Sequence, residues 1–177
     1  MISVSKALSV LAKPALVGWA NRMGLKGIDT SKYNTKRSGE GMSVHDAIEA
    51  WMHGESEEGC PDGFKKFIST HTVEPLLAEV YMEHSSLGYC GRIDAYCMVN
   101  GKLCLLDFKT SKGIYDDMFY QLAAYRELLE DNGKPVDRVA VVRLYGDDYE
   151  YKIKERTVQE FEVFKHCLEI YRLTKGE

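Results

Sequence analysis

Four charged side chains interrupt two apolar runs near the middle of this sequence. The first run, "GRIDAYCMV", carries Arg92 and Asp94; the second, "KLCLLDFKT", carries Asp107 and Lys109, and Asn100-Gly101 lies between them. Asn-Gly between two apolar strands favours a tight two-residue turn. Counted outward from that turn, Val99 faces Lys102, Cys97 faces Cys104, Asp94 faces Asp107 and Arg92 faces Lys109. Side chains alternate across a strand, so the four charges are expected on one face. Opposed residues hold their Cβ atoms roughly 4.5–5.5 Å apart, and two carboxylates that close repel until one keeps a proton. A divalent cation removes the conflict, and carboxylate oxygens suit Mg²⁺ or Mn²⁺. Lys109 beside it can orient a water or meet the charge of a phosphate. The alternative is a cross-strand network in which Arg92 and Lys109 neutralise the acids without a metal.

The elements that must position these groups follow from the pattern around them. "EPLLAEVYMEH" alternates as a strand, and its Glu79 has the parity to join the charged face beside Arg92 or Asp94. Upstream, a short helix to about Ala12 and a second from Pro14 to Gly24 are expected, followed by a long polar loop from Lys26 to Gly41. Ser43 then opens a helix that puts His45, Ile48, Glu49 and Met52 on one side, and "DGFKKFISTH" is another. After the hairpin, "DDMFYQLAAYRELLEDNG" reads as an amphipathic helix with acids in its first turn and Asn132-Gly133 at its end. "DRVAVVRLY" and "DYEYKIKE" are strands, and a last helix runs to about Lys175. The predicted fold is α/β, of mixed α+β type: a central mixed sheet flanked by helices in the order αβββαβ. One domain over 1–177 is expected, with a helical part at 1–75 and a sheet-containing core at 76–177.

Composition narrows the class. With 45% hydrophobic and 28% charged residues the chain is an ordinary folded protein, and its net charge of −4 excludes a body coated in positive charge. A basic groove on an acidic body is compatible with nucleic acid. Five cysteines, at 60, 90, 97, 104 and 167, form no close pairs and read as free, buried thiols of a reducing compartment. Lys6, Lys13 and Pro14 break the apolar N-terminal stretch, so neither a signal peptide nor a membrane span is expected, and the chain reads as cytoplasmic.

The ordered motifs resemble the PD-(D/E)XK nuclease superfamily, in its RecB-like exonuclease branch. "GRIDA" supplies the motif aspartate, Asp94, with Ile93 where the family name has proline. "LLDFKTSK" supplies Asp107 and Lys109, "QLAAY" supplies the Q-x-x-x-Y pair Gln121 and Tyr125, and "GMSVHDAIE" resembles the upstream histidine segment, at His45. "VSKALSVLAKPALVGWANRMG" is similar to the N-terminal helices of phage-type and mitochondrial genome-maintenance relatives. The resemblance implies a restriction-endonuclease-like core and a divalent-metal-dependent deoxyribonuclease. One or two ions, Mg²⁺ or Mn²⁺, would be held by His45, Asp94, Asp107 and the Phe108 carbonyl. Lys109 would orient the nucleophile and Glu79 would position a water or the metal. Gln121, Tyr125, Arg92, Lys112, Lys36 and Arg37 are the implied DNA contacts. Relatives with an iron–sulfur cluster carry three grouped C-terminal cysteines; only Cys167 lies there, so no cluster is expected. The expected activity is exonuclease action on single-stranded DNA or DNA ends, in phage or bacterial replication, recombination or repair. A DNA-end-binding module of the same fold, an endonuclease or a resolvase are the alternatives, and replication or recombination proteins are possible partners.

Overall fold

The structure is a computed structural model that describes residues 1–175, with only the backbone for Pro14, Ala15, Tyr33, Asn34, Arg37, Ser38 and Met42. The elements run β1 (Ile2–Ser3), α1 (Val4–Leu8), α2 (Pro14–Leu25), α3 (Thr30–Met52), α4 (Asp62–Thr70), β2 (Val73–Glu83), β3 (Tyr89–Val99), β4 (Lys102–Lys109), α5 (Asp116–Asp131), β5 (Arg138–Tyr145), β6 (Asp148–Lys154) and α6 (Val158–Lys175). This is the mixed α/β sheet flanked by helices that the sequence predicts. No described helix is long and apolar enough to cross a membrane.

The Asn100-Gly101 turn sets the centre of the sheet. Both residues have positive φ, 50° and 74°, as a tight two-residue turn requires. The register follows the count from the turn: Val99 opposite Lys102, Cys97 opposite Cys104, Ala95 opposite Leu106. Parallel pairing of β4 with β5 sets Lys109 beside Arg143, and α5 makes the crossover between them. One side of the sheet packs on α1, α5 and α6 through Val4, Phe119, Leu122, Leu128 and Phe164. The other packs on the C-terminal end of α3 and on α4 through Ile48, Phe64 and Phe67. Burial on both sides explains why β4 and β5 are near-continuous apolar runs.

Three features differ from the sequence expectation. The polar stretch expected as a loop from Lys26 to Gly41 is mostly helix, because Thr30–Met52 forms one 23-residue element. Asp29 caps it, accepting from Ser31 N at 2.9 Å. The described residues of its outer half are largely exposed, so that half needs no apolar stripe. Lys36 therefore stands exposed on a helix rather than on a loop, and the side chain of Arg37 lies outside the described residues. The second difference is the two-residue β1, parallel to β3 at Tyr89–Cys90 and too short to show a pattern in the sequence.

The third lies at the charges themselves. The β3–β4 ladder ends at Ala95–Leu106, so Asp94–Asp107 and Arg92–Lys109 do not continue it. Ile93 and Tyr96 pack in the same core cluster although three residues apart, as do Leu77 and Val80 on β2. Both strands turn over here together, with Glu79 in the left-handed region at φ 49°. Since β2 pairs β3 as far as Cys90, β1 and β4 must share the opposite edge of β3. Residues 91–94 on that edge face neither neighbour's ladder. A seam opens in the sheet there.

Candidate functional site

Asp94 holds the seam. Its Oδ2 accepts from the Phe108 N–H at 3.1 Å, so a carboxylate stands where a backbone carbonyl would continue the ladder. Glu79 lies between Ala78, paired with Ala95, and Val80, paired with Ile93, which sets it across from Asp94. α3 brings His45 over this pair from the other layer. His45 Nδ1 is 3.3 Å from Glu79 Oε1 and 3.5 Å from Asp94 Oδ2, while Nε2 is 3.0 Å from the Phe108 carbonyl oxygen. Every partner of the ring is an acceptor, so both nitrogens carry protons. The Glu79 hydrogen bond, opposed by burial and helped by Asp94, lifts the imidazole to about 9. Burial, and next the charge of Asp107, pushes the Asp94 carboxyl up to about 7.

Asp107 occupies different surroundings. It is 1% exposed; Oδ1 accepts from Lys109 Nζ at 2.7 Å, and Oδ2 is buried with no partner. Burial draws the Lys109 amine down, but Asp107 and Asp94 outweigh it and hold the amine above its ordinary range. On α5, Gln121 Nε2 donates to Tyr125 Oη at 3.0 Å. The helical i, i+4 spacing of this pair makes the bond possible. Tyr125 is itself buried, and burial pushes its phenol up to about 12.

The donor set fits a hard divalent cation. One ligand atom each from His45, Glu79 and Asp94 lies within 4.8 Å of the others, a cluster able to hold a metal ion, and the orphaned Asp107 Oδ2 is an anionic oxygen short of a partner. Asp107 is not part of that three-residue cluster, whereas Glu79 is.

The cluster opens into a cavity of about 1360 Å³. Its charged lining includes His45, Glu79, Asp94, Arg92, Lys109 and Lys112; Arg92 reaches Glu79 at 3.8 Å. Leu11, Leu16, Trp19, Tyr115 and Tyr120 give the same lining an apolar and aromatic part. A 2.5 Å ion pair between Lys13 and Asp117 ties the N-terminal segment to the head of α5 within it. Asp107, Gln121, Tyr125 and Lys36 are not in the lining. Sequence reasoning missed the aromatic lining, since Trp19 lies on α2 and Tyr115 and Tyr120 at the head of α5, two segments far apart in the chain.

Comparison with known proteins adds two kinds of likeness. Over 96 aligned residues the chain is 33% identical to mitochondrial genome maintenance exonuclease 1 of Xenopus tropicalis, an alignment covering 48% of this chain. The chain spans about a quarter of that relative's length (27%). In fold it is similar to the crystal structure of SSO0001 (TM-score 0.58, 18% identity, 98% of this chain and 75% of that one). It is similar also to LHK-Exo, solved in complex with dAMP (TM-score 0.51, 12% identity, 98% and 86%). At these identities the structural likeness is one of fold. No protein-family model matches the chain.

Proposed function

We propose that this chain is a divalent-metal-dependent DNA nuclease of the RecB-like PD-(D/E)XK type, acting on single-stranded DNA or single-stranded ends. The reading is carried by one observation: His45, Glu79 and Asp94 converge within 4.8 Å beside the Asp107–Lys109 couple, at the base of an open cavity. The relative named as an exonuclease and the fold shared with an exonuclease solved with a nucleotide support it.

His45, Glu79 and Asp94, with Asp107 and the Phe108 carbonyl beside them, would hold a Mg²⁺ or Mn²⁺ ion, which would supply charge to stabilise a phosphodiester under attack and would acidify a water. The chain's own groups do the rest. His45 gives up its extra proton to become a ligand. Lys109, fixed by Asp107, donates to the attacking oxygen and steadies the negative charge that grows on the phosphate. Arg92 and Lys112 meet flanking phosphates. Trp19, Tyr115 and Tyr120 in the same lining offer ring faces, and only unpaired bases have faces free to stack on them. Charged and aromatic side chains lining one cavity favour single strands over duplex. Work at DNA ends in replication, recombination or repair fits such an enzyme.

A DNA-end-binding module is the second reading, and one observation favours it: protonated His45 already partners both Glu79 and Asp94 without a cation. Digestion of end-labelled and circular single strands with Mg²⁺, Mn²⁺ or EDTA separates the two. The nuclease reading expects metal-dependent loss of label that Lys109→Ala abolishes. Binding without cleavage under every metal overturns it.

A further inference from the structure

Gly91 lies at the start of the seam, on the stretch of β3 that neither β1 nor β4 covers. A Cβ there would sit 2.4 Å from Tyr125 Cε1, 3.0 Å from Cδ1 and 3.3 Å from Leu128 Cδ1. Its φ is not among the positive values of the chain, so the backbone would accept alanine. What forbids a side chain is the Tyr125 ring. To restore ordinary contact the ring would have to retreat by about 1 Å, against a core in which Leu128 is fully buried. Tyr125 is 5% exposed and absent from the cavity lining, yet it packs in the same core cluster as Ile93, next to Asp94, and Leu105, two residues before Asp107. It stands behind the reacting groups, not among them.

We propose that Gly91 is a positioning residue: its missing side chain seats the Tyr125 ring, and the seated ring, braced by Gln121, backs the Asp107–Lys109 couple at the seam. The effect on turnover rests on the nuclease reading; the seating itself does not. A misplacement of about 1 Å behind a catalytic group is enough to lower turnover by about 10²-fold. Gly91→Ala is therefore expected to cut kcat by roughly 10- to 100-fold while leaving KM for single-stranded DNA nearly unchanged, since the cavity walls are not disturbed.

The test is a double-mutant cycle with Tyr125→Ala. If Gly91 serves the ring, adding Gly91→Ala to Tyr125→Ala changes kcat by less than about twofold, because the clash has gone. An equal loss in both backgrounds, or an unchanged kcat in Gly91→Ala alone, overturns the proposal. Should Gly91→Ala fail to fold, the double variant is expected to recover its thermal melting transition; continued failure to fold overturns the proposal too. If the parent protein cleaves nothing, the nuclease reading has failed, and seating is judged from crystal structures of Gly91→Ala. A Tyr125 ring in its original place there refutes it.

Discussion

Two groups of charges meet at the seam, and they are built on opposite principles. The Asp107–Lys109 couple is anchored from below: Asp107 is buried with a spare oxygen facing protein, and at 2.7 Å it holds an amine that reaches the cavity. The His45–Glu79–Asp94 cluster borders the cavity and holds an exchangeable proton where a cation would bind. The first is a fixed tool, the second a socket. A chain that keeps both close together gains an amine positioned by an acid that stands outside the His45–Glu79–Asp94 cluster.

The largest expected effect comes from breaking the couple. Lys109→Ala should reduce cleavage by about 10²–10³-fold, the usual cost of removing one preorganised donor to developing charge. It also leaves Asp107 buried and unpaired, a loss of about 3–5 kcal/mol by comparison with other broken buried pairs. Urea denaturation would measure that cost. The double change Asp107→Asn with Lys109→Met should recover most of the stability but none of the activity, which separates the two roles.

The socket is tested through its proton. With His45 raised from 6.5 to about 9, the ring carries its extra proton at pH 7 and must release it to bind a cation. Calorimetry of Mn²⁺ binding at about pH 8, where Asp94 has largely ionised, in buffers of different ionisation enthalpy should show about one proton released, and the release should fade above pH 9. Affinity for Mn²⁺ should therefore rise with pH up to that point. In His45→Asn the proton release should vanish. A release that survives the substitution would place the exchangeable proton on another group.

A smaller effect is expected among the aromatic lining residues. Tyr115 is 54% exposed, and its replacement by alanine should raise KM for single strands by roughly tenfold, within the 1–3 kcal/mol range of a base–aromatic stack, with kcat retained. Lys36, exposed on α3 and outside the lining, gives the smallest: Lys36→Ala should change KM by less than about twofold, as a solvated surface charge does.

The central hairpin was legible because one dipeptide, Asn100-Gly101, determines its register, and apolar alternation confirms it on both strands. The site was legible as a set of residues but not as a geometry. Parity counted from the turn holds only as far as Ala95; beyond it, the turnover at Glu79 and Asp94 redirects the side chains, and no local signal in "AEVY" announces a left-handed glutamate. Arg92 consequently meets Glu79 instead of opposing Lys109. The outer half of α3 was misread for a different reason. An exposed helix needs no apolar stripe, so periodicity, the strongest single-sequence signal, is silent there.

The Asp94 oxygen that receives the Phe108 amide does a mechanical task unrelated to its charge. An asparagine could do the same task through its amide oxygen. A single-base change in a gene could thus disarm such a protein while preserving its architecture, so catalytically silent descendants ought to be easy to evolve and hard to tell apart by shape.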